Sequence, residues 1–336
     1  MKRHSVSIIL LTFLLLFTSA CGMGDPSSQS DSTTGQLKPI TVVLDWTPNT
    51  NHTGLYVARD QGFFKDAGLD VKIIQPGEAG SEKMIATGQA EFAVSNQESV
   101  TQARAQGVPI VSIGAIIQHN TSGFASPVAK NIQRPKDFEG KKYGGFGSPI
   151  EKQMISSLMT IDQADPNKVK IINSGNIDFF TAVKKDVDFM WIYYAWTGIE
   201  AELRGEKLNT VYLTDYSKDL DYYTPVLIAG EKTIKQDPET VRSFMKAVSQ
   251  GYEFSIQNPE QAADILIKAE PDLDPDLVKK SQAWLSKRYQ DDAPRWGEQK
   301  VEVWTNYANW LKKYQLLEGE FDPATAFTND FLPKGE

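Results

Sequence analysis

Short strand-like runs alternate with helix-like segments along most of this chain, and that alternation limits the possible folds. Residues 40–44 are a β-branched run, and residues 71–74, 90–94 and 108–115 are further predicted strands with helical segments between them. Strand, helix and strand in this order are typical of a parallel sheet with helices on both faces. The first part of the chain therefore predicts an α/β unit.

A second α/β unit follows, with strands predicted at residues 143–145, 169–173, 188–193 and 208–213. The run at residues 225–229 starts one more strand, and the remainder of the chain is helical. We therefore predict an α/β fold of two lobes joined by two crossover strands. A cleft between two lobes is a common place for a small ligand.

The predicted lobe limits follow from this order of elements. Lobe one comprises residues 38–124 and 225–336, and lobe two comprises residues 125–224. The full chain of 336 residues is long enough for two domains, and 40% of its residues are hydrophobic, which is enough for a sizeable core.

The N-terminus has the pattern of an export signal. Residues 1–20 carry a basic start, a short apolar run and the small residues that precede a signal-peptidase cut. The chain's only cysteine, Cys21, comes next, at the position that resembles the lipobox of bacterial lipoproteins. We expect lipidation of Cys21, a flexible tether over residues 21–37, and attachment to the extracytoplasmic face of the cell membrane. A plain secretory signal with an incidental cysteine is the alternative.

Composition argues against several classes of protein. The net charge is −8 and there is no run of Lys or Arg, so nucleic acid is not an expected partner. With one cysteine and three histidines, we predict no disulfide framework and no metal site. No cofactor is expected, and the protein is expected to be a monomer.

The segment after the first strand carries the densest set of candidate ligand-binding residues. Asp45, Trp46, Asn49 and His52 lie within eight residues, at the carboxyl end of a predicted strand. Trp46 offers a flat ring, and Asp45 accepts hydrogen bonds from an amino group. Alternatively, the indole packs in the core and the Asp and Asn cap the next helix; His52 either orients a neighbour or packs.

Two further strand ends carry polar groups. Glu78 lies in a Gly-Glu-Ala-Gly turn before a helix, where Ser81 is a more ordinary cap. Ser95 and Asn96 begin the segment Ser95-Asn96-Gln97-Glu98, which we expect to point into the same crevice. Each of its side chains could pair with a ring nitrogen or an exocyclic amine.

The second lobe adds a glycine loop and several aromatic residues. Gly145, Phe146, Gly147 and Ser148 precede a predicted helix, and we expect their backbone N–H groups to bind an anion or a polar acceptor oxygen of a ligand. The loop lacks the Gly-Lys-Ser/Thr ending of a phosphate P-loop. The candidate aromatic residues of this lobe and of the return segment are Trp191, Tyr193, Tyr194 and Tyr223.

These residues together favour a flat, nitrogen-bearing ring as the ligand. Its faces would stack on Trp46 with Tyr193 or Tyr223, and its edge would pair with Asp45, Glu78 or Asn96. Core packing is the alternative for about half of the aromatic residues. The sequence contains no Gly-X-Ser-X-Gly motif and no nucleophile with a paired base, so we predict a binding protein rather than an enzyme.

The same segments carry a family resemblance. The stretches LDWTPNTNHTGLYVARDQGFFKDAGLDV, GEAGSEKMIATGQAEFAVSNQES and KYGGFGSPIEKQM resemble the solute-binding lipoproteins of ABC importers. Within these, the chain is similar to the branch that binds formylaminopyrimidine, a thiamine precursor, and that is related to the fungal thiamine pyrimidine synthases. The resemblance implies the two-lobe type II periplasmic-binding-protein fold and an ABC permease as a partner.

The resemblance also defines the alternatives. Other members of the superfamily bind sulfonates or nitrate, and an extracytoplasmic thiamine-salvage hydrolase is a third possibility. The synthase branch uses a lysine and a histidine where this chain has Ser95 and Ser99, and a cysteine cluster where it has residues 219–223. The resemblance therefore implies capture of an aminopyrimidine for salvage, without the synthase chemistry.

Overall fold

The computed structural model describes residues 36–77, 80–147, 149–175 and 177–334. Its strands are β1 Lys38–Val43, β2 Leu69–Ile74, β3 Phe92–Ser95, β4 Ile110–Ala115, β5 Ser122–Pro127, β6 Lys142–Gly145, β7 Lys170–Asn173, β8 Phe189–Tyr193, β9 Leu208–Tyr212 and β10 Val226–Gly230. Its helices are α1 Thr53–Asp60, α2 Phe63–Asp66, α3 Ser81–Ala86, α4 Gln97–Ala105, α5 Pro149–Ile161, α6 Phe179–Val183, α7 Ile199–Leu203, α8 Glu231–Gln236, α9 Pro238–Gln257, α10 Pro259–Ala269, α11 Pro275–Leu285 and α12 Val301–Lys313.

Two five-stranded sheets organise the described residues. Sheet A has the order β2-β1-β3-β10-β4, and sheet B has the order β7-β6-β8-β5-β9. Strands β1, β2 and β3 are parallel to one another, as are β6, β7 and β8. The carboxyl ends of each parallel trio therefore lie at one edge of its sheet, where α/β folds bind ligands.

Both sheets are mixed, which differs from the expectation of parallel sheets. Strand β10 runs antiparallel between β3 and β4, and β5 runs antiparallel between β8 and β9. Each is the first strand after a crossing from the other sheet, so the chain enters from the opposite direction. Strand β5 was missed in the sequence, because its Ser-Gly-Phe-Ala-Ser-Pro composition has no β-branched residue.

The core of sheet A includes Val42, Phe92 and Leu227 with residues of α1 and α9, such as Leu55 and Val248. Gly54 of α1 lies against the ring of Tyr252 and beneath Gly251 of α9, and a Cβ at Gly251 would lie 2.1 Å from the Gly54 oxygen. These glycines therefore let the two helices pack closely.

Helix α12 contacts both sheets. Tyr307, Trp310 and Leu311 belong to the core of sheet B, whereas Trp304 and Ala308 belong to a second core on sheet A. The helix thus joins the two halves of the fold in addition to the two crossover segments. None of the helices in the described residues is long and apolar enough to cross a membrane.

Candidate functional site

The loop after β1 is held by hydrogen bonds around His52. The Asn49 N–H donates to Nδ1 of His52 at 3.2 Å, so the ring proton lies on Nε2. Nε2 therefore donates to Asp45 Oδ1, at 2.8 Å. His52 is fully buried, while the Asp45 side chain remains 25% exposed. Of the two roles left open for His52, the structure favours orienting a neighbour, since the ring fixes the Asp45 carboxylate at the strand end.

Asn49 has a capping role in this loop. Its side chain accepts from the Asn51 N–H at 2.9 Å and donates to the Thr47 carbonyl at 3.0 Å. These bonds shape the loop that carries Trp46, whose side chain is 51% exposed. The indole is therefore available for contact with a ligand, and the alternative of core packing does not apply to it.

At the end of β3, the residues named from the sequence are engaged in local structure. Ser95 is buried and its hydroxyl donates to Glu82 on α3. Asn96 caps α4, and its side chain accepts from the Ser99 N–H at 2.7 Å. The Asn96 side-chain oxygen therefore serves as a cap that sets the direction of α4, and pairing of the Asn96 NH2 group with a ligand stays a prediction.

The cap at Asn96 positions Glu98 in the first turn of α4. The carboxyl group is partly exposed, and its Oε1 accepts from the Tyr222 hydroxyl at 2.8 Å. Burial raises the pKa of Glu98 to about 7, although the Tyr222 hydrogen bond lowers it. The first turn of a helix favours a negative charge, so desolvation outweighs the helix dipole here.

Glu98 and Tyr222 are not among the candidate ligand-binding residues that the sequence predicts, although Glu98 lies in the segment Ser95-Asn96-Gln97-Glu98. The pattern that could have found Glu98 is a carboxylate two residues after a helix cap at a strand end.

Tyr193, the last residue of β8, connects the two sheets. The ring is 40% exposed, yet its hydroxyl lies within hydrogen-bonding reach of Thr224. Burial raises the pKa of Tyr193, and the charges of Glu98 and Asp45 raise it further. Groups at or after the ends of β1, β3 and β8 therefore interact electrostatically, and the cleft that the sequence predicts for these strand ends stays a prediction.

Phe146 is a third exposed ring, at 48%, directly after β6. Its backbone N–H donates to Glu151 Oε1, and the Gly147 N–H donates to Glu151 Oε2, both at 3.0 Å. Glu151 is 3% exposed and also accepts from the Tyr143 hydroxyl at 2.6 Å. These two backbone donors are therefore bound to Glu151, which differs from their expected role toward a ligand oxygen.

The glycines of this loop make room for Glu151. A Cβ at Gly145 would lie 3.0 Å from a Glu151 carboxylate oxygen, and Gly147 has a φ of +92° with the Asn173 amide close by. Both glycines are therefore closely approached by another group, as expected, but that group is a side chain of the protein, Glu151 at Gly145 and Asn173 at Gly147. Ser148 and Glu78 lie outside the described residues.

Three of the predicted aromatic residues serve other purposes. Tyr223 is 1% exposed and its hydroxyl accepts from the Lys300 N–H at 2.9 Å, so it belongs to the core. Trp191 is partly buried and packs 5.6 Å from the Phe124 ring centre. Tyr194 starts a π-helical turn, Tyr194–Gly198, and its hydroxyl donates to Glu202. Of the predicted stacking partners for Trp46, Tyr193 has the exposure that stacking requires, and Tyr223 does not.

The two crossover segments are joined by Asp221. Its Oδ1 accepts from the Asn120 N–H at 2.9 Å, and its Oδ2 lies 2.8 Å from Nδ1 of His119. Nε2 of His119 lies 3.3 Å from Asp292. The hydrogen bond to Asp221 is the main cause that raises the pKa of His119 to about 9. This cluster joins the segment between β4 and β5 to the segment before β10, which are the two crossings between the sheets.

Two cavities are lined largely by other residues. One, of about 310 Å³, is lined by Arg104, Glu320, Phe321, Asp322 and Thr325, at the far end of α4 from Glu98. The other, of about 520 Å³, includes Tyr194 and Glu202 in its lining. Within the ranges that the structure describes, no group of three or more His, Cys, Asp and Glu could hold a metal ion.

Comparison with known proteins connects this site to a family. A family model described as NMT1/THI5 like matches residues 49–262, well over half of the chain. The formylaminopyrimidine-binding protein of Halalkalibacterium halodurans is 25% identical over 333 residues, covering 97% of this chain and 98% of that protein. A 4-amino-5-hydroxymethyl-2-methylpyrimidine phosphate synthase of Legionella pneumophila is 26% identical over 304 residues, covering 88% and 92% respectively.

Solved structures agree on the architecture. The periplasmic aliphatic sulphonate binding protein SsuA of Escherichia coli matches with a TM-score of 0.69 at 12% identity, covering 89% of this chain and 94% of that chain. The predicted two-lobe type II periplasmic-binding-protein fold is confirmed. This chain belongs to the NMT1/THI5-like family.

Proposed function

We propose that this chain is the solute-binding lipoprotein of an ABC importer, and that its solute is formylaminopyrimidine or a closely related aminopyrimidine. One observation carries the proposal. The charges of Asp45 and Glu98 both act on the Tyr193 hydroxyl, and these groups stand at or after strand ends that also carry the exposed rings of Trp46 and Tyr193. The relative of H. halodurans that is named for formylaminopyrimidine binding aligns over nearly the whole chain.

The chemistry of these groups suits an aminopyrimidine. Trp46 and Tyr193 present apolar faces on which a flat ring stacks, and such contacts contribute about 1 kcal/mol beyond area burial. Asp45 accepts from an exocyclic amino group, and His52 holds it in place. Neither the Asp45 loop nor the first turn of α4 contributes a Lys or Arg side chain, which favours a ligand without a negative charge.

The rest of the chain fits delivery to a permease. We propose that residues 1–20 direct export, that lipidated Cys21 anchors a monomer at the extracytoplasmic face, and that residues 21–37 form the tether. A tether of this kind keeps the loaded protein at a high local concentration near its transporter. The proposed lobes close about the crossover segments at Asp221, and the ligand is buried between them.

Isothermal titration calorimetry on the protein purified from bacterial membranes in mild detergent tests the ligand. We expect one site per chain, with a Kd below about 1 μM for formylaminopyrimidine. Hydroxymethylpyrimidine and thiamine are the comparison ligands. If the folded protein has no affinity for any of the three, the pyrimidine assignment is wrong.

A sulfonate or nitrate ligand is the second candidate, because the fold is shared with SsuA. An anion needs Arg, Lys or free helix N-termini, and the N–H groups of Phe146 and Gly147 are already bound to Glu151. Displacement of the bound ligand by taurine or nitrate, without displacement by pyrimidines, would reverse the choice.

An enzyme is the third candidate, since relatives include named synthases. Both nitrogens of His52 are engaged, with Asn49 and Asp45, and the Ser95 hydroxyl is bound to Glu82. These residues therefore lack the free nucleophile and base that hydrolysis needs. Incubation with each pyrimidine should return the ligand unchanged in stoichiometric amounts, whereas turnover would make the chain an enzyme.

A further inference from the structure

Glu98 has hydrogen-bonding capacity that the protein does not use. Its Oε1 accepts from Tyr222, and its Oε2 has no hydrogen-bond partner among the residues that the structure describes. The side chain is partly exposed at the edge where Tyr193 and Asp45 also lie. The Glu98 carboxyl group can therefore form hydrogen bonds with the polar edge of a bound ligand.

The surroundings of Glu98 disfavour its ionised form. Three tyrosines face it: Tyr222 from the return segment, Tyr193 from the end of β8, and Tyr307 from α12. Burial is the largest effect on Glu98, and a hydrogen bond from a neutral hydroxyl is the one opposing effect. A desolvated carboxyl group without a cation beside it holds its proton more tightly than one in water.

Tyr307 is a second sign of an incomplete polar site. It is fully buried, its ring centre lies 4.5 Å from that of Tyr222, and its hydroxyl has no hydrogen-bond partner in the part of the chain that the structure describes. The charge of Glu98 acts on this hydroxyl. A bound group next to Glu98 would supply the missing partner and remove the cost of the unpaired hydroxyl.

We propose that Glu98 is the specificity-determining contact for the ligand and that it acts as a neutral acid. Its O–H donates to a ring nitrogen, and its C=O accepts from the amino group on the adjacent ring carbon. This pair of hydrogen bonds selects a ring in which an acceptor nitrogen adjoins an amino group. The inference rests on the proposed function, because it assigns the polar edge of that same ligand.

The proposal predicts a pH dependence of binding. The free protein has a Glu98 pKa of about 7, so the acid form is abundant below that pH and declines above it. The pKa values of Tyr193, Tyr222 and Tyr307 are all raised above the ordinary tyrosine value, so these groups stay neutral near neutral pH. The charge of Asp45 also acts on Tyr193. Because Asp45 is present in the wild type and in every Glu98 variant, it does not account for a difference in binding between them.

The experiment measures the Kd for formylaminopyrimidine from about pH 6 to about pH 9 in three proteins. For the wild type, we expect Kd to rise above about pH 7, toward tenfold per pH unit. Glu98→Gln keeps one donor and one acceptor, so it should bind with a Kd that does not change over this range. Glu98→Ala should bind at least about tenfold more weakly at about pH 6, because it loses both hydrogen bonds. Glu302→Gln, an exposed position on α12, is the matched control and should behave as the wild type.

Infrared spectroscopy supplies a readout that does not depend on a variant folding. At about pH 8, addition of ligand to the wild type should increase the C=O band of a protonated carboxyl group. The reason is that the ligand binds the protonated form of Glu98 and so shifts the protonation equilibrium toward it.

The outcomes separate this proposal from the function on which it rests. If the wild type binds no pyrimidine at any pH, the proposed function and this inference are both wrong. If the wild type binds with a pH-independent Kd, or if Glu98→Gln loses binding at every pH, the neutral-acid contact alone is wrong. Loss of binding by Glu98→Gln would point to a carboxylate that binds a protonated ring.

Discussion

The carboxyl edges of the two sheets differ in what they leave available. At sheet A, the edge presents the acidic groups Asp45 and Glu98, and neither is paired with a Lys or Arg in the described structure. At sheet B, the one buried carboxylate of the loop, Glu151, is already surrounded by the Tyr143 hydroxyl and two backbone N–H groups. Sheet B therefore presents mainly aromatic rings, Phe146 and Tyr193.

On the proposed function, the difference implies a division of tasks between the two halves. We propose that sheet A supplies the hydrogen bonds to the ligand, because Asp45 and Glu98 each accept one hydrogen bond from the protein and are not paired with a Lys or Arg. We propose that sheet B supplies apolar contact, together with Trp46 from the loop after β1. A ligand that contacts both edges would favour the arrangement in which they are close, and this would couple the proposed lobe closure to binding.

Substitutions of Trp46 and Trp191 test the comparison separately for ligand binding and for stability. Trp191→Ala should lower the free energy of unfolding by about 3 kcal/mol, because it removes a ring packed on Phe124. Trp46→Ala should leave stability nearly unchanged, since the ring is 51% exposed, and should weaken pyrimidine binding by about 2 kcal/mol. Thermal melting and calorimetry on both variants separate these effects. Equal losses of stability would mean that the Trp46 ring packs in the core.

Glu151 offers the second way to test the comparison. Glu151→Ala should destabilise the fold by about 2 kcal/mol, because the Tyr143 hydroxyl and two backbone N–H groups lose their acceptor. The same change should allow inorganic sulfate to bind at the vacated N–H groups. Denaturant melts and sulfate titrations measure the two effects, with Glu302→Ala as the exposed control. Unchanged stability would show that the loop does not depend on its internal carboxylate.

The smallest expected effect concerns the cluster between the two sheets. The folded-state pKa of His119 is about 9, above the ordinary value of 6.5, so its stabilising interaction is fully present below about pH 6.5 and is lost as pH rises through about 9. The side chain is 44% exposed, and after solvent screening we expect less than about 1 kcal/mol. Melting temperatures of His119→Gln and wild type should differ at about pH 6 and converge near about pH 10. A constant difference would assign the effect to packing.

Much of the fold was predictable because strands with β-branched runs and helices with clear periods have local signals. Residues 71–74 and 208–213, for example, correspond closely to β2 and β9. Strand β5 could not be predicted, because its pairing with β8 and β9 compensates for a composition that does not favour a strand. The lobe limits remain a prediction; the placement of β5 in sheet B favours a first crossing between Ala115 and Ser122.

The candidate site was predictable as a set of strand ends but not as a set of contacts. Trp191 and Tyr193 lie on the same face of β8, yet Trp191 packs on Phe124, whereas Tyr193, the last residue of the strand, is exposed. Alternation along a strand specifies a face, whereas depth in the core depends on the neighbouring strands. Asn96 and Glu98 show the same distinction, since the predicted amide became a cap and its neighbour became the available polar group.

The sequence by itself determined the α/β class, the two-unit order of the chain and the family, because these follow from local periodicity and from motifs that are contiguous along the chain. Only the tertiary structure decided which carboxyl groups remain available. The raised pKa of Glu98 comes from desolvation, and the tyrosines that face it, Tyr193, Tyr222 and Tyr307, lie 95 to 209 positions away from it in the chain. The acceptor for the glycine-loop donors was likewise decided by packing, because the Glu151 carboxylate reaches them only when α5 and β6 lie side by side.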